Sequence, residues 1–212
     1  MLDFIPTVYS VGQGGGDLQS EVVGAQDFSM AGDGLIYVAT AVHDVVDATP
    51  GAGKEPFVQH FTEAIVLRTA SGEERLVQLN PDANGQYFDD QAIINLQAMG
   101  FMVAFSSSSD VYLVDQSTRQ VIQFANDALA ADAGDEDSMR ITDIVLTDSR
   151  ISWVVQINDQ AGLKETIYTS DLSGSDTMSM QVSSATELLD NGTGLTFWTG
   201  SHDDYRKVEW KY

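Results

Sequence analysis

The chain has three histidines, His43, His60 and His202, and two of them adjoin carboxylates, in His43-Asp44 and His202-Asp203-Asp204. An imidazole beside a carboxylate can trade protons near neutral pH or hold a metal ion. Neighbours on a strand point to opposite faces, however, so adjacency in sequence does not bring the two groups together. Surface histidines are the simpler account. Asp132, Asp135, Glu136 and Asp137 share one Gly-containing stretch and offer oxygen ligands suited to Ca2+. The regular spacing and closing glutamate of a calcium loop are missing there. A solvated acidic loop is expected, with Ca2+ on Asp132, Asp135 and Asp137 as the alternative; Asp89-Asp90 reads the same way.

The remaining chemistry is mostly excluded. Ala48-Thr49-Pro50-Gly51-Ala52-Gly53-Lys54-Glu55 is close to a phosphate-binding loop. It has Ala48 where glycine is needed, Glu55 where a magnesium-binding hydroxyl is needed, and Pro56 where a helix should start. No Gly-x-Ser-x-Gly elbow occurs, and no cysteine is present for thiolate, disulfide or Cys-zinc chemistry. Two of the many acids could still meet as a glycosidase pair, but no spacing singles them out. The expectation is a non-enzymatic protein without a cofactor.

Charge narrows the partners. Thirty-two acids against ten bases leave a net charge of -22 over 212 residues. Such a field repels phosphate backbones and anionic membranes, so neither is an expected partner. It suits a basic protein partner or a salty medium, where counterions screen the self-repulsion.

The elements that must position these residues are strands. Four apolar cores recur: Leu35–Val38, Met102–Phe105, Ile151–Val154 and Leu195–Trp198. The last three are spaced by roughly 45 residues, the period of stacked four-stranded sheets. The pattern predicts one all-β domain over residues 1–212, a propeller-like array of four antiparallel units at 21–80, 88–127, 139–183 and 184–212. Its turns are Ser71-Gly72, Asp115–Arg119 and Asp171–Ser175 at equivalent places, and Asn191-Gly192 in the short last unit. That unit lacks a fourth strand. Residues 5–12, with Thr7–Val11, are expected to pair with the strand around Val208 and close the ring. Completion by a partner and a β-sandwich are the alternatives.

The third unit, LTDSRISWVVQINDQAGLKETIYTSDLSGSD over residues 146–176, resembles a blade of TolB-type propellers. The resemblance lies in a turn, an aromatic-rich strand, an Ile-Tyr strand and an Asp-x-x-Gly turn; the second unit resembles it more loosely. It implies a fold and carries no function.

Two segments interrupt the period. Residues 125–138 read as a loop with a short helical turn, and residues 41–60 as an exposed insertion loop centred on Pro50, Gly51, Gly53 and Pro56. The insertion ends in Phe57, Val58 and Phe61, which are expected to dock on another protein or a second copy, as is Trp210 near the terminus. The leading function is therefore an interaction component of a larger assembly, such as a virion tail or head-accessory protein, to which cysteine-free β folds bear a class-level likeness. The alternative is a ligand-binding or hydrolytic propeller with an Asp-held cation. The N-terminus lacks the basic start and apolar stretch of a signal peptide, and no window reaches the ~20 apolar residues of a membrane span. Synthesis in the cytosol without membrane insertion is expected.

Overall fold

A computed structural model of the chain describes residues 7–10, 19–23, 25–31, 34–45, 57–78, 94–106, 110–124, 139–159, 162–190, 193–200 and 206–212. The described residues form strands and turns, with no helix. A short N-terminal sheet pairs β1 (Thr7–Ser10) with β2 (Gln19–Val23). The first full sheet runs β3 (Ala25–Ala31), β4 (Gly34–Val45), β5 (Phe57–Thr69) and β6 (Gly72–Gln78). The second runs β7 (Ile94–Met99), β8 (Met102–Ser106), β9 (Val111–Asp115) and β10 (Val121–Phe124). The third runs β11 (Met139–Leu146), β12 (Arg150–Asp159), β13 (Gly162–Asp171) and β14 (Thr177–Val182). The last is three-stranded: β15 (Thr186–Asp190), β16 (Gly194–Thr199) and β17 (Arg206–Lys211). In each of the four, the strands are antiparallel and follow chain order, so each unit is one meander of a propeller-like array.

Alternation decides which faces meet. On β12, Ile151, Trp153, Val155 and Ile157 turn toward the second sheet and pack with Leu113, Phe124, Ile141 and Ile144. The intervening Val154 turns the other way, with Ile167, toward Leu188, Leu195 and Phe197 of the last sheet. Trp153 is fully buried, stacked on Tyr168 at 5.4 Å between ring centroids and tilted against Phe124. Between the first two sheets, Ile36, Val38 and Ile65 pack on Leu96, Val103 and Phe105. Every interface between successive sheets is thus an apolar layer built from two inward faces.

The first strand of each sheet lies beside the first strand of the next: β3 packs on β7, β7 on β11, and β11 on β15. Each of these inner strands is an edge of its own sheet, with backbone N–H groups that no ladder satisfies. Side chains of the preceding inner strand accept them. Leu96 N donates to Asp27 Oδ2 at 2.9 Å and Ala98 N to Ser29 Oγ at 3.0 Å. Leu146 N donates to Gln97 Oε1 at 3.0 Å, and Leu188 N donates to the Asp143 carboxylate.

Two expectations need correction. β1 pairs with β2 and not with β17, so Thr7–Ser10, the described part of the expected 5–12 segment, does not supply the fourth strand of the last unit. The N-terminal strand finds a local antiparallel partner at a much smaller loop-closure cost than the far end of the chain demands. The insertion at residues 41–60 is not a loop throughout. β4 and β5 stay paired out to Val45 and Phe57, because apolar and β-branched residues on both sides extend the ladder. Its tip, 46–56, lies outside the described residues, as does the expected loop at 125–138.

At the start of β16, a Cβ on Gly194 would lie 2.6 Å from the Trp210 carbonyl oxygen, a backbone atom that cannot swing aside. Gly194→Ala should therefore force β16 and β17 apart and cost about 1–3 kcal/mol. Urea unfolding followed by tryptophan fluorescence measures this; an unchanged midpoint would mean the pairing has slack.

Candidate functional site

The inner strands run side by side in the same direction, since Asp27 meets Leu96 and Ser29 meets Ala98 in step. Every sheet starts from such a strand and alternates direction. The turns β3–β4, β5–β6, β7–β8, β9–β10, β11–β12, β13–β14 and β15–β16 consequently gather at one end of the array.

Aspartates build two of these turns. Asp115 Oδ1 accepts Ser117 N at 2.8 Å, Ser117 Oγ at 2.6 Å and Thr118 N at 3.3 Å. Asp171 accepts Ser175 Oγ and Ser173 Oγ on Oδ2, and Ser175 N and Asp176 N on Oδ1. The Ser117 hydroxyl leads in holding the Asp115 carboxyl below its ordinary value. Asp171, bonded first by Ser175 and then Ser173, lies well below the usual carboxylate range. Gly174, at φ 77°, supplies the left-handed position that closes the second turn.

Large apolar side chains stand out at the same end. Phe101 is 73% exposed, Met30 59% and Met99 43%. The β7–β8 turn that carries Phe101 is braced from the neighbouring turn: Gln116 N donates to the Phe101 carbonyl at 2.8 Å, and Gln116 Nε2 to that of Gly100 at 3.4 Å. The aromatic ring is thus displayed on a fixed backbone. Beside it, between the outer hairpins of the second and third sheets, lies an open cleft of about 350 Å³. Met102, Leu113, Ile122 and Leu172 form its apolar lining, and Asp115, Gln120 and Ser173 its polar part.

A second polar cluster ties the third sheet to the last. The Arg150 guanidinium lies 4.4 Å over the Tyr212 ring, donates to Thr169 Oγ1 at 3.1 Å and grips both Asp176 Oδ2 and the Asp176 carbonyl. The Tyr212 hydroxyl donates to Asp190 Oδ2, and the buried Ser152 hydroxyl lies 3.0 Å from Thr169 Oγ1 and 3.4 Å from Asp190 Oδ2. Among the described residues, Ser152 has hydroxyl and carboxylate partners, and the arrangement clamps two sheets together. Burial first, then the Asp190 carboxylate, pushes the Tyr212 phenol up.

The residues singled out from sequence fall elsewhere. Trp210 is half-buried against the Leu195 and Phe197 core and edge-on to Tyr212 at 6.4 Å, so its own sheet uses much of it. Phe57, Val58 and Phe61 stand on β5 opposite Val45, Asp44 and Ala41, at the end away from the tight turns; their side chains lie outside the described residues. His43 is opposite Gln59 and His60 opposite Val42, successive ladder positions rather than facing ones. Asp132, Asp135, Asp137 and His202 lie outside the described residues. Among the described residues, no three His, Asp or Glu groups converge as for a metal ion, and no helix is long and apolar enough to cross a membrane. From sequence Phe101 reads as the first residue of a Phe101–Phe105 strand; the structure puts it in the turn before β8, and the only signal for that is the glycine preceding it.

No family model matches the chain, and no curated protein is significantly similar to it.

Tyr212→Phe removes one hydroxyl and leaves Asp190 short of a donor, so stability at neutral pH should fall by about 1–3 kcal/mol. The folded phenol titrates above its unfolded value, so its contribution is complete at neutral pH and lost as pH rises through the folded value, beyond about pH 10. The variant should show a shallower alkaline loss in urea midpoints; parallel curves would sink this account. Asp171 behaves oppositely. Its folded carboxyl titrates below the unfolded value, so its stabilising effect is present above about pH 4 and drains away as pH falls toward the folded value. Asp171→Asn should thus be less stable than wild type at neutral pH, and the gap should narrow in acid.

Proposed function

We propose that this protein is a non-enzymatic interaction component of a larger protein assembly and that the tight-turn end of the array faces its partner. The observation that carries this reading is Phe101, 73% exposed on a braced turn with Met30 and Met99 exposed at the same end. Water gains nothing from an aromatic ring held there, whereas a partner that buries it gains about 1.5–3 kcal/mol. The rigid turn adds to this, because little conformational freedom is lost when the ring docks. The partner is a basic protein rather than a second copy, since two chains of charge -22 repel each other.

The long β4–β5 hairpin, with Phe57, Val58 and Phe61, offers a second contact element at the opposite end. A virion tail or head-accessory protein is the narrower form of this proposal.

Wild-type and Phe101→Ser chains used as bait in extracts of the source would test it. The exposed substitution should leave the thermal midpoint within error. A basic protein held by wild type should be lost from the Phe101→Ser bait, with affinity about 30-fold weaker, the ~2 kcal/mol of an aromatic hot spot. The reading is overturned if wild type stays monomeric and captures only proteins that Phe101→Ser captures equally well.

A further inference from the structure

We propose that the cleft between the second and third sheets is a socket for a lysine or arginine side chain of a partner protein, a reading that rests on the interaction role above. Its geometry is two-part. Met102 and Leu113 from β8 and β9, Ile122 from β10 and Leu172 from the β13–β14 turn make an apolar wall. Such a wall suits the methylene stem of a long basic side chain, whose charged head must then find an anion.

Asp115 supplies that anion. The hydrogen bonds from Ser117 N, Ser117 Oγ and Thr118 N all land on Oδ1, and with the Thr118 hydroxyl they hold the carboxylate ionised at the cleft wall. Among the described residues no cation lines the cleft, and the nearby Arg119 is engaged with Glu74 on the first sheet. An anionic ligand would be repelled by Asp115. A wholly apolar one would strip water from the carboxylate and return no bond to it. A basic side chain satisfies both halves at once. The volume of about 350 Å³ stands at the low end of ligand sites, which run from roughly 300 to 1,000 Å³. That is room for one long basic side chain with water around its head. The net charge of -22 draws such a group in from a distance.

The test uses the full chain, methyl-labelled, with NMR shifts read at Met102, Leu113, Ile122 and Leu172. The probes are the N-acetyl, N-methylamide derivatives of lysine, arginine, norleucine and glutamate. Lysine and arginine probes should shift these methyls saturably, norleucine should bind more weakly, and glutamate should not bind. Asp115→Asn keeps an Oδ1 acceptor for the turn but removes the charge; it should weaken the lysine probe roughly three- to fivefold, the size of a half-exposed ion pair. Absence of any shift with the basic probes, norleucine binding as tightly as lysine, or an indifferent Asp115→Asn would each overturn the socket. Wild-type chain alone decides the first two. Basic probes that bind while no partner is captured would sink the interaction role and leave the socket standing; Phe101-dependent capture without probe binding would sink the socket alone.

Discussion

The arrangement depends on one requirement: the inner strand of each sheet is an edge, and backbone N–H groups on it face the preceding sheet. A buried, unpaired N–H costs about 1–3 kcal/mol, so stacked sheets need acceptors along that seam. Asp27 and Ser29 serve Leu96 and Ala98, Gln97 serves Leu146, and Asp143 serves Leu188. Apolar layers alone would let neighbouring sheets slide. These directional bonds fix the stagger, so all the tight turns come to one end. Phe101 beside Met30 and Met99, and the cleft between two hairpins, follow from that stagger.

The two ends of the array meet the same edge problem differently. Asp27 also accepts the N–H of its own neighbour, Phe28, at 2.8 Å, so β3 caps part of its own edge. At the other end β17 reads Arg206, Lys207, Val208, Glu209, Trp210, Lys211, with Val208 and Trp210 on the core and charges between them. It has the exposure pattern of the outer strand β14 rather than the more buried pattern of β13. Charged residues on an edge discourage further pairing. Among the described residues the last sheet has three strands, and β17 is its outer edge. Within the seam to the third sheet, buried Glu165 accepts from Gln156 at 2.7 Å and from Ala185 N, while Gln156 accepts Arg140 at 2.6 Å. That chain of bonds, with the Arg150–Tyr212 clamp, locks the short sheet in place.

Much of the fold was legible in the residues because it is written locally. Alternating cores such as Ile151–Val154 and turns such as Asp171–Gly174 depend on near neighbours, and both fall where the pattern puts them. What failed was long-range. Whether Thr7–Ser10 pairs with β2 or β17 turns on a competition between a near and a far partner, which alternation cannot rank. The insertion was misjudged because Pro50 and Gly51 mark a turn without saying how far the strands run on either side of it. The candidate site was hardly legible at all. Phe101, Gln116 and Asp115 meet because β8 pairs with β9 and sets Met102 opposite Asp115, and Leu172 joins them from the third sheet only through the packing of one sheet on the next.

Asp115 shows why scaffold and site are hard to separate here. Its Oδ1 closes the β9–β10 turn, and that turn places Gln116, which braces the turn bearing Phe101. The bonds that make Asp115 useful to the fold also favour its ionised form, and an ionised carboxylate at the cleft is what a basic side chain requires. A neutral turn residue such as serine would cap the hairpin more weakly, without charge-assisted bonds, and would leave the cleft an apolar dent with no preference for charge. Under the proposed socket, the residue type at position 115 separates a turn that only folds from one that would also select a basic group.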